Sequence, residues 1–149
     1  MTSLIASTRP DSWNLPLFLH VLGAMALVGA AAIGSISALA SGRDEDSGFL
    51  RRLAFRSFLI VGLPAYVVMR IGAEWLYSKE FGEGVDDPTW IGIGYITADA
   101  GALLLLLTLI LSGIAVRRGS PGLARAAGIL SMIALIAWLV AVWAMSGKL

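Results

Sequence analysis

The sequence predicts an all-α fold, a polytopic integral membrane protein in which residues 1–149 form a single four-helix membrane domain. Apolar residues make up 58% of the 149 residues and charged residues only 14%, whereas soluble domains are roughly a quarter charged. Four apolar segments are each long enough to cross the hydrocarbon core, which takes about 20 helical residues. The predicted spans are residues 14–40, 55–77, 90–116 and 122–145.

Small residues mark the packing faces of the first and last spans. They recur at helical spacing in the first span, where side chains four residues apart share a face. The fourth span carries a similar series. Such faces let membrane helices approach closely. The residues are Ala26, Ala30, Gly34 and Ala38 in the first span, and Ala127, Ser131, Ala134 and Ala141 in the fourth.

The second, third and fourth spans have recognisable starts or interruptions. A basic and aromatic segment, residues 49–58, leads into the second span and suits the headgroup level. Pro64 lies inside that span, and we expect it to disturb the helix because proline cannot donate a backbone hydrogen bond. The pairs at 87–88 (Asp-Pro) and 120–121 (Ser-Pro) each offer an N-cap followed by proline at the first helical position.

The basic residues predict an orientation in which both termini lie outside. Seven arginines flank the first and third loops, whereas three basic residues lie on the other side. Because Lys and Arg accumulate in cytoplasmic loops, the first and third loops are expected to be cytoplasmic. The seven are Arg43, Arg51, Arg52, Arg56, Arg117, Arg118 and Arg125, and the three are Arg9, Lys79 and Lys148.

Four ionisable residues interrupt the apolar spans and are the best indication of a site. Their depth follows from the helical rise and the number of residues to the nearest interfacial aromatic residue. On this measure His20 and Arg70 lie about 10 Å below the outer interface and Asp99 about 13 Å below it. Glu74 is shallower. Ionisable groups inside a membrane are costly and normally face a partner or a cavity. Their shared depth on three helices predicts one outward-facing polar site.

The helical spacing places further polar side chains on the same faces. Tyr66, Arg70 and Glu74 follow one another at four-residue intervals, and Tyr95 precedes Asp99 by four. Arg70 is expected to pair with Glu74 along its helix or with Asp99 across helices, in a bidentate geometry that arginine favours. A purely structural ion pair that fixes helix register remains an alternative.

Several kinds of chemistry are disfavoured by what the sequence lacks. One histidine and no cysteine give no zinc motif, disulfide or iron–sulfur cluster. No glycine-rich phosphate loop stands between a strand and a helix. The net charge is only +1 and the arginines cluster at one interface, so no nucleic-acid partner is expected.

The segment Leu19-His20-Val21-Leu22-Gly23-Ala24, followed by Val28-Gly29, resembles the first-helix signature of a group of small bacterial membrane proteins. These are the copper-resistance D-like and membrane protoporphyrinogen-oxidase-like proteins, which are bundles of about four helices. The resemblance implies a location in the bacterial cytoplasmic membrane. In the oxidase branch the corresponding histidine is implicated in binding haem b, so the resemblance implies that His20 is a candidate axial ligand. The chain departs from that branch because it has no intramembrane lysine and no second histidine.

Three functions follow as hypotheses. The first is binding of haem b or copper at the polar site in a redox or metal-handling role, with Met25, Met69 or Met145 as a thioether ligand. The second is transport or proton relay, with Asp99 and His20 titrating. The third is a non-catalytic subunit docked onto a larger membrane protein. The expected surroundings are the lipid bilayer and either a homodimer or another membrane-protein partner.

Overall fold

A computed structural model describes residues 11–42, 47–80 and 89–147, and these residues are almost entirely helical. Within these described residues, four stretches are long and apolar enough to cross a membrane: Asp11–Ala40, Ser47–Glu80, Ile91–Arg118 and Pro121–Ala144. The all-α, multi-pass prediction is thereby confirmed, while the side on which the termini lie stays a prediction. The helices are α1 (Asn14–Ala40), α2 (Ser47–Arg56), α3 (Leu63–Glu80), α4 (Thr89–Arg118) and α5 (Pro121–Gly147), with a 3₁₀ turn at Asp11–Trp13 and a π-helical segment at Ser57–Gly62.

The second stretch differs most from the prediction. It begins at Ser47, eight residues before the predicted start of the span, because Ser47–Arg56 form an amphipathic helix, α2, that is continuous with the apolar part. The π-helical segment lies immediately before Pro64, and its closing bond runs from the Leu63 N–H to the Phe58 carbonyl, five residues back. Proline provides no N–H at this point, and the wider turn is how the helix accommodates that loss.

The turn between α4 and α5 follows from three residues. Gly119 has a φ of +64°, a conformation that glycine adopts without steric cost. The Ser120 N–H then donates to the Ala115 carbonyl at 3.1 Å, which closes the end of α4 in a Schellman-type arrangement. The Ser120 hydroxyl accepts from the Leu123 N–H at 3.4 Å and caps α5, as the sequence predicts. The other predicted cap, at 87–88, lies outside the described residues.

Small residues bring the helices together. A Cβ built on Gly23 would lie 2.5 Å from the Met69 nitrogen, and one built on Gly72 would lie 2.5 Å from the His20 nitrogen, so α1 and α3 touch backbone to backbone. All four predicted small residues of α5 are buried, as are three of the four in α1. The packing role assigned to the small-residue faces is therefore confirmed.

Helix packing leaves one flank of the bundle open. α1 packs along α3 and α5, and α5 packs along α4, whereas α3 and α4 touch at only a few positions. At the end where α2 joins, Phe55 lies against Gly113 of α4 and closes the gap. At the other end the gap between α3 and α4 stays open, and the polar residues of interest are found there.

Candidate functional site

A network of polar side chains, here called the polar seam, bridges α3 and α4 across this gap. Its charged members are Arg70, Glu74 and Asp99. The Arg70 Nη2 lies 3.2 Å from Glu74 Oε1 and 3.4 Å from Asp99 Oδ1. The sequence left these two pairings as alternatives, and the structure contains both. One guanidinium is thus shared by two carboxylates, which leaves the three charged groups with a net charge of −1 when all are ionised.

Three tyrosines complete the polar seam. The Tyr95 hydroxyl donates to Glu74 Oε2 at 3.0 Å, and the Arg70 guanidinium carbon lies 4.7 Å from the centre of the Tyr95 ring, within cation–π range. The Tyr66 hydroxyl donates to the Ala98 carbonyl at 3.3 Å. Tyr77 meets Tyr95 edge to face, with ring centres 6.0 Å apart. The network holds α3 and α4 at a fixed separation where apolar packing between them is sparse.

The polar seam faces outward from the bundle. The side chain of Arg70 is 29% exposed, that of Glu74 49% and that of Asp99 67%. Asp99 shares an exposed face of α4 with Ile96 and Leu103. A carboxylate on such a face is costly unless water or a polar partner reaches it. The seam therefore has an inner side at Arg70 and an open side at Asp99.

His20 is fixed by a backbone group on the neighbouring helix. Its Nδ1 lies 3.1 Å from the Met69 carbonyl oxygen. Because a carbonyl only accepts hydrogen bonds, Nδ1 carries a proton, and the tautomer protonated at Nδ1 has its lone pair on Nε2. This contact depends on the close crossing of α1 and α3, which Gly23 and Gly72 permit.

A cavity of about 410 Å³ lies behind the polar seam, bounded by α1, α3, α4 and α5. Its wall is mostly apolar, and His20, Arg70 and Tyr95 supply polar groups to it. A cavity of this size and character is typical of small-molecule sites, which measure roughly 300–1,000 Å³. Trp138 closes it towards α5, with its indole packed against Gly101.

The structure divides the residues predicted to form one site into two groups. His20, Arg70 and Tyr95 line the cavity, whereas Tyr66, Glu74 and Asp99 belong to the polar seam but not to the cavity wall. Arg70 and Tyr95, together with Tyr77, belong to both the polar seam and the cavity wall. Shared depth correctly predicted the contacts between α3 and α4, but it did not distinguish the cavity from the seam.

The methionine ligands proposed from the sequence have different positions. Met69 is buried and lines the cavity. Met25 is 70% exposed and is not part of the cavity wall, so it does not share the cavity with His20. The physical reason is helical geometry: five residues rotate a side chain by about 140° from His20, away from the bundle. The side chain of Met145 lies outside the described residues.

Sequence reasoning missed Trp138 as part of the site. Its Nε1–H is buried and has no hydrogen-bond partner among the described residues. The sequence feature that relates to this position is Gly101 on the neighbouring helix, because only glycine leaves room there for the Trp138 indole. That pairing cannot be recognised before the register of α4 against α5 is known.

The described residues contain no group of three or more His, Asp or Glu side chains arranged to hold a metal ion. A site that relies on protein ligands alone for copper therefore lacks support in this part of the chain. No protein-family model matches the sequence, and neither curated proteins nor solved structures give a match. The resemblance of the first helix to the copper-resistance D-like group stays a prediction.

Proposed function

We propose that this protein binds haem b in the apolar cavity behind the polar seam and serves a redox or metal-handling role in the membrane. The observation that carries the proposal is the hydrogen bond between His20 Nδ1 and the Met69 carbonyl. Histidines that ligate metals almost always donate their other ring nitrogen in this way, which fixes the ring and presents Nε2. His20 lines the cavity in which a cofactor would lie.

The residues present suit haem better than a bare metal ion. A porphyrin brings four nitrogen ligands of its own, so one protein imidazole is enough to hold the iron. The mostly apolar wall of the cavity, which includes Leu27 and Trp138, suits the macrocycle. Met69 is the thioether in the wall that is available as a second ligand. When bound, haem supplies one-electron transfer. Arg70 is engaged by two carboxylates, and we assign it no role towards the propionates.

Absorption spectroscopy of the purified protein tests this proposal. We expect a Soret band in the protein purified after expression with haem supply, or a shift of the hemin Soret band on titration at one equivalent per chain, and the loss of either signal in His20→Ala. His20→Met serves as a ligating replacement and should retain a shifted band. The proposal is wrong if the wild-type protein neither carries a Soret band as purified nor shifts the Soret band of added hemin, or if His20→Ala binds hemin as tightly as the wild type does.

Met69 and Met25 provide a matched comparison for the second ligand. If the Met69 sulfur ligates the iron, Met69→Leu should convert a six-coordinate spectrum into a five-coordinate one. Met25→Leu makes the same chemical change at an exposed position outside the cavity and should leave the spectrum unchanged. Identical spectra for both variants would remove Met69 from the proposed ligand set while leaving His20 in place.

Proton relay or transport is a second candidate function, and the polar seam favours it. Arg70 lies between a half-exposed Glu74 and a largely exposed Asp99, so a protonation change at either carboxylate alters the pairing of the guanidinium. Proton or solute flux into proteoliposomes should then fall in Asp99→Asn. Flux that is the same in Asp99→Asn as in the wild type would argue against this function.

The cellular setting is part of the proposal. We infer a location in the bacterial cytoplasmic membrane with both termini outside, and association with a second copy or a larger membrane protein. Reporter fusions at residue 149 test the orientation, since an enzyme that is active only outside the cytoplasm should be active there. The mass of the protein in lipid nanodiscs tests the association, and a strictly monomeric mass with no co-purifying partner would contradict it.

A further inference from the structure

A second cavity lies at the opposite end of the bundle from the polar seam. It measures about 340 Å³ and is formed by Phe55 of α2 and six residues of α4 between Leu109 and Arg117. We call it the α2–α4 groove. It shares no lining residue with the cavity of the proposed haem site.

The shape of the α2–α4 groove suits an extended apolar chain. Leu109 and Arg117 are eight residues apart, so the groove runs about 12 Å along α4. Gly113 forms part of its floor, and a Cβ built there would lie 3.3 Å from the Phe55 ring. Ile110 lies in the wall and is 58% exposed, so the groove opens sideways to the surrounding lipid.

The charge at one end of the groove is strongly positive. Arg117 lines the groove itself and is exposed. Four further exposed arginines belong to the same end of the bundle. The described segments 47–62 and 109–128, which form this end, contain no Asp or Glu, while the acidic residues at 44–46 lie outside the described residues. The four arginines are Arg52, Arg56, Arg118 and Arg125.

We propose that the α2–α4 groove binds one anionic phospholipid. Its phosphate pairs with the Arg117 guanidinium, and the first part of one acyl chain lies along α4 towards Leu109. A guanidinium matches phosphate geometry and binds it through two parallel hydrogen bonds. Basic pockets between membrane helices are known to hold the headgroups of anionic lipids. An apolar groove with a cation at one end matches the two parts of such a lipid.

Lipid titration with native mass spectrometry tests the proposal. The full chain in a neutral detergent is titrated with phosphatidylglycerol and with phosphatidylcholine of the same acyl chains. We expect one tightly bound phosphatidylglycerol per chain and weaker binding of phosphatidylcholine. Arg117→Gln should weaken phosphatidylglycerol binding about fivefold, the factor expected for one basic residue near the headgroup. Arg125→Gln, at an exposed arginine outside the groove, should have little effect.

A second variant pair separates the groove from general surface charge. Ile110→Trp fills the groove and leaves every charge in place, so it should also weaken phosphatidylglycerol binding. Ile96→Trp makes the same change at an exposed position of α4 outside the groove and serves as its control. Both isoleucines are largely exposed, so the two variants should fold, which circular dichroism checks.

Four outcomes would overturn the proposal. Equal effects of Arg117→Gln and Arg125→Gln would mean diffuse attraction to the arginine-rich end. Equal binding of the two lipids would mean that charge is not recognised. Competition by inorganic phosphate at millimolar concentration would indicate a free-anion site. A protein dimer that forms in place of the lipid complex, and that Ile110→Trp disrupts, would make a second copy of the chain the occupant.

Discussion

The crossing of α1 and α3 allows a direct test of how His20 is held. In Gly72→Ala, the new Cβ would lie 2.5 Å from the His20 nitrogen and 2.9 Å from the Pro16 carbonyl oxygen. Ordinary Cβ contacts begin near 3.4 Å, so the two backbones must separate by roughly 0.9 Å. The bond from His20 Nδ1 to the Met69 carbonyl, now 3.1 Å, would then exceed the range of a hydrogen bond.

The expected loss of unfolding free energy follows from these contacts. Overpacking of a tight interface costs about 1–3 kcal/mol, and the lost hydrogen bond adds about 1 kcal/mol. The control is Gly29→Ala on the same helix as His20, where a new Cβ meets nothing within 4 Å. Alanine is the better helix former by about 0.5–1 kcal/mol, so this variant should be neutral or slightly stabilised.

Two measurements check this prediction. Unfolding in detergent, followed by tryptophan fluorescence, gives the stability of Gly72→Ala and Gly29→Ala relative to the wild type. Because the chain has one histidine, ¹⁵N spectra of the imidazole report the Nδ1–H tautomer of His20 without ambiguity. If Gly72→Ala is as stable as Gly29→Ala and keeps the same imidazole spectrum, the close crossing does not position His20, and the reasoning is refuted.

Two further predictions concern stability. Arg70→Ala removes the counter-charge of both Glu74 and Asp99. It should therefore lower the stability of the bundle in thermal unfolding, by less than the loss of about 3–5 kcal/mol seen for a fully buried pair. A triple variant that also replaces Glu74 and Asp99 by alanine should recover most of that loss. No recovery in the triple variant would contradict the shared pairing. Phe58→Ala removes a fully buried ring and should lower the free energy of unfolding by about 3–5 kcal/mol. Phe49→Ala removes a ring that is 59% exposed and should be near neutral. Similar losses in both variants would contradict the assignment of Phe58 to the packed core.

Hydropathy predicted the helices well because a helix that crosses the lipid hydrocarbon needs about 20 successive residues that are mostly apolar. The first span was predicted at 14–40 and α1 occupies Asn14–Ala40. The fourth was predicted at 122–145 and α5 occupies Pro121–Gly147. The start of the second stretch at Ser47 was not predicted, because α2 is amphipathic and its polar face lowers the average hydropathy of the segment.

The site was predictable only in part. The depth of a residue and the helix face on which it lies follow from the sequence, whereas the pairs of helices that pack against each other do not. Depth brought Arg70 and Asp99 together correctly. The partner of His20 is a backbone carbonyl, and every residue has one, so no residue type could have indicated it. The cavity likewise depends on α3 and α4 lying apart, which follows from how four helices pack and not from any one of them.

The π-helical segment has a consequence for the orientation of the polar seam. In an α-helix each residue turns the chain by 100°, so one residue more or fewer between Ser57 and Pro64 would rotate everything after it by about that angle. Arg70 and Tyr66 would then point away from α4, although neither had been changed. The wide turn closed by the hydrogen bond from Leu63 to Phe58 therefore sets the rotation of α3 about its axis relative to α2. A single-residue deletion there should abolish the Arg70–Asp99 pair as completely as replacing Arg70 itself.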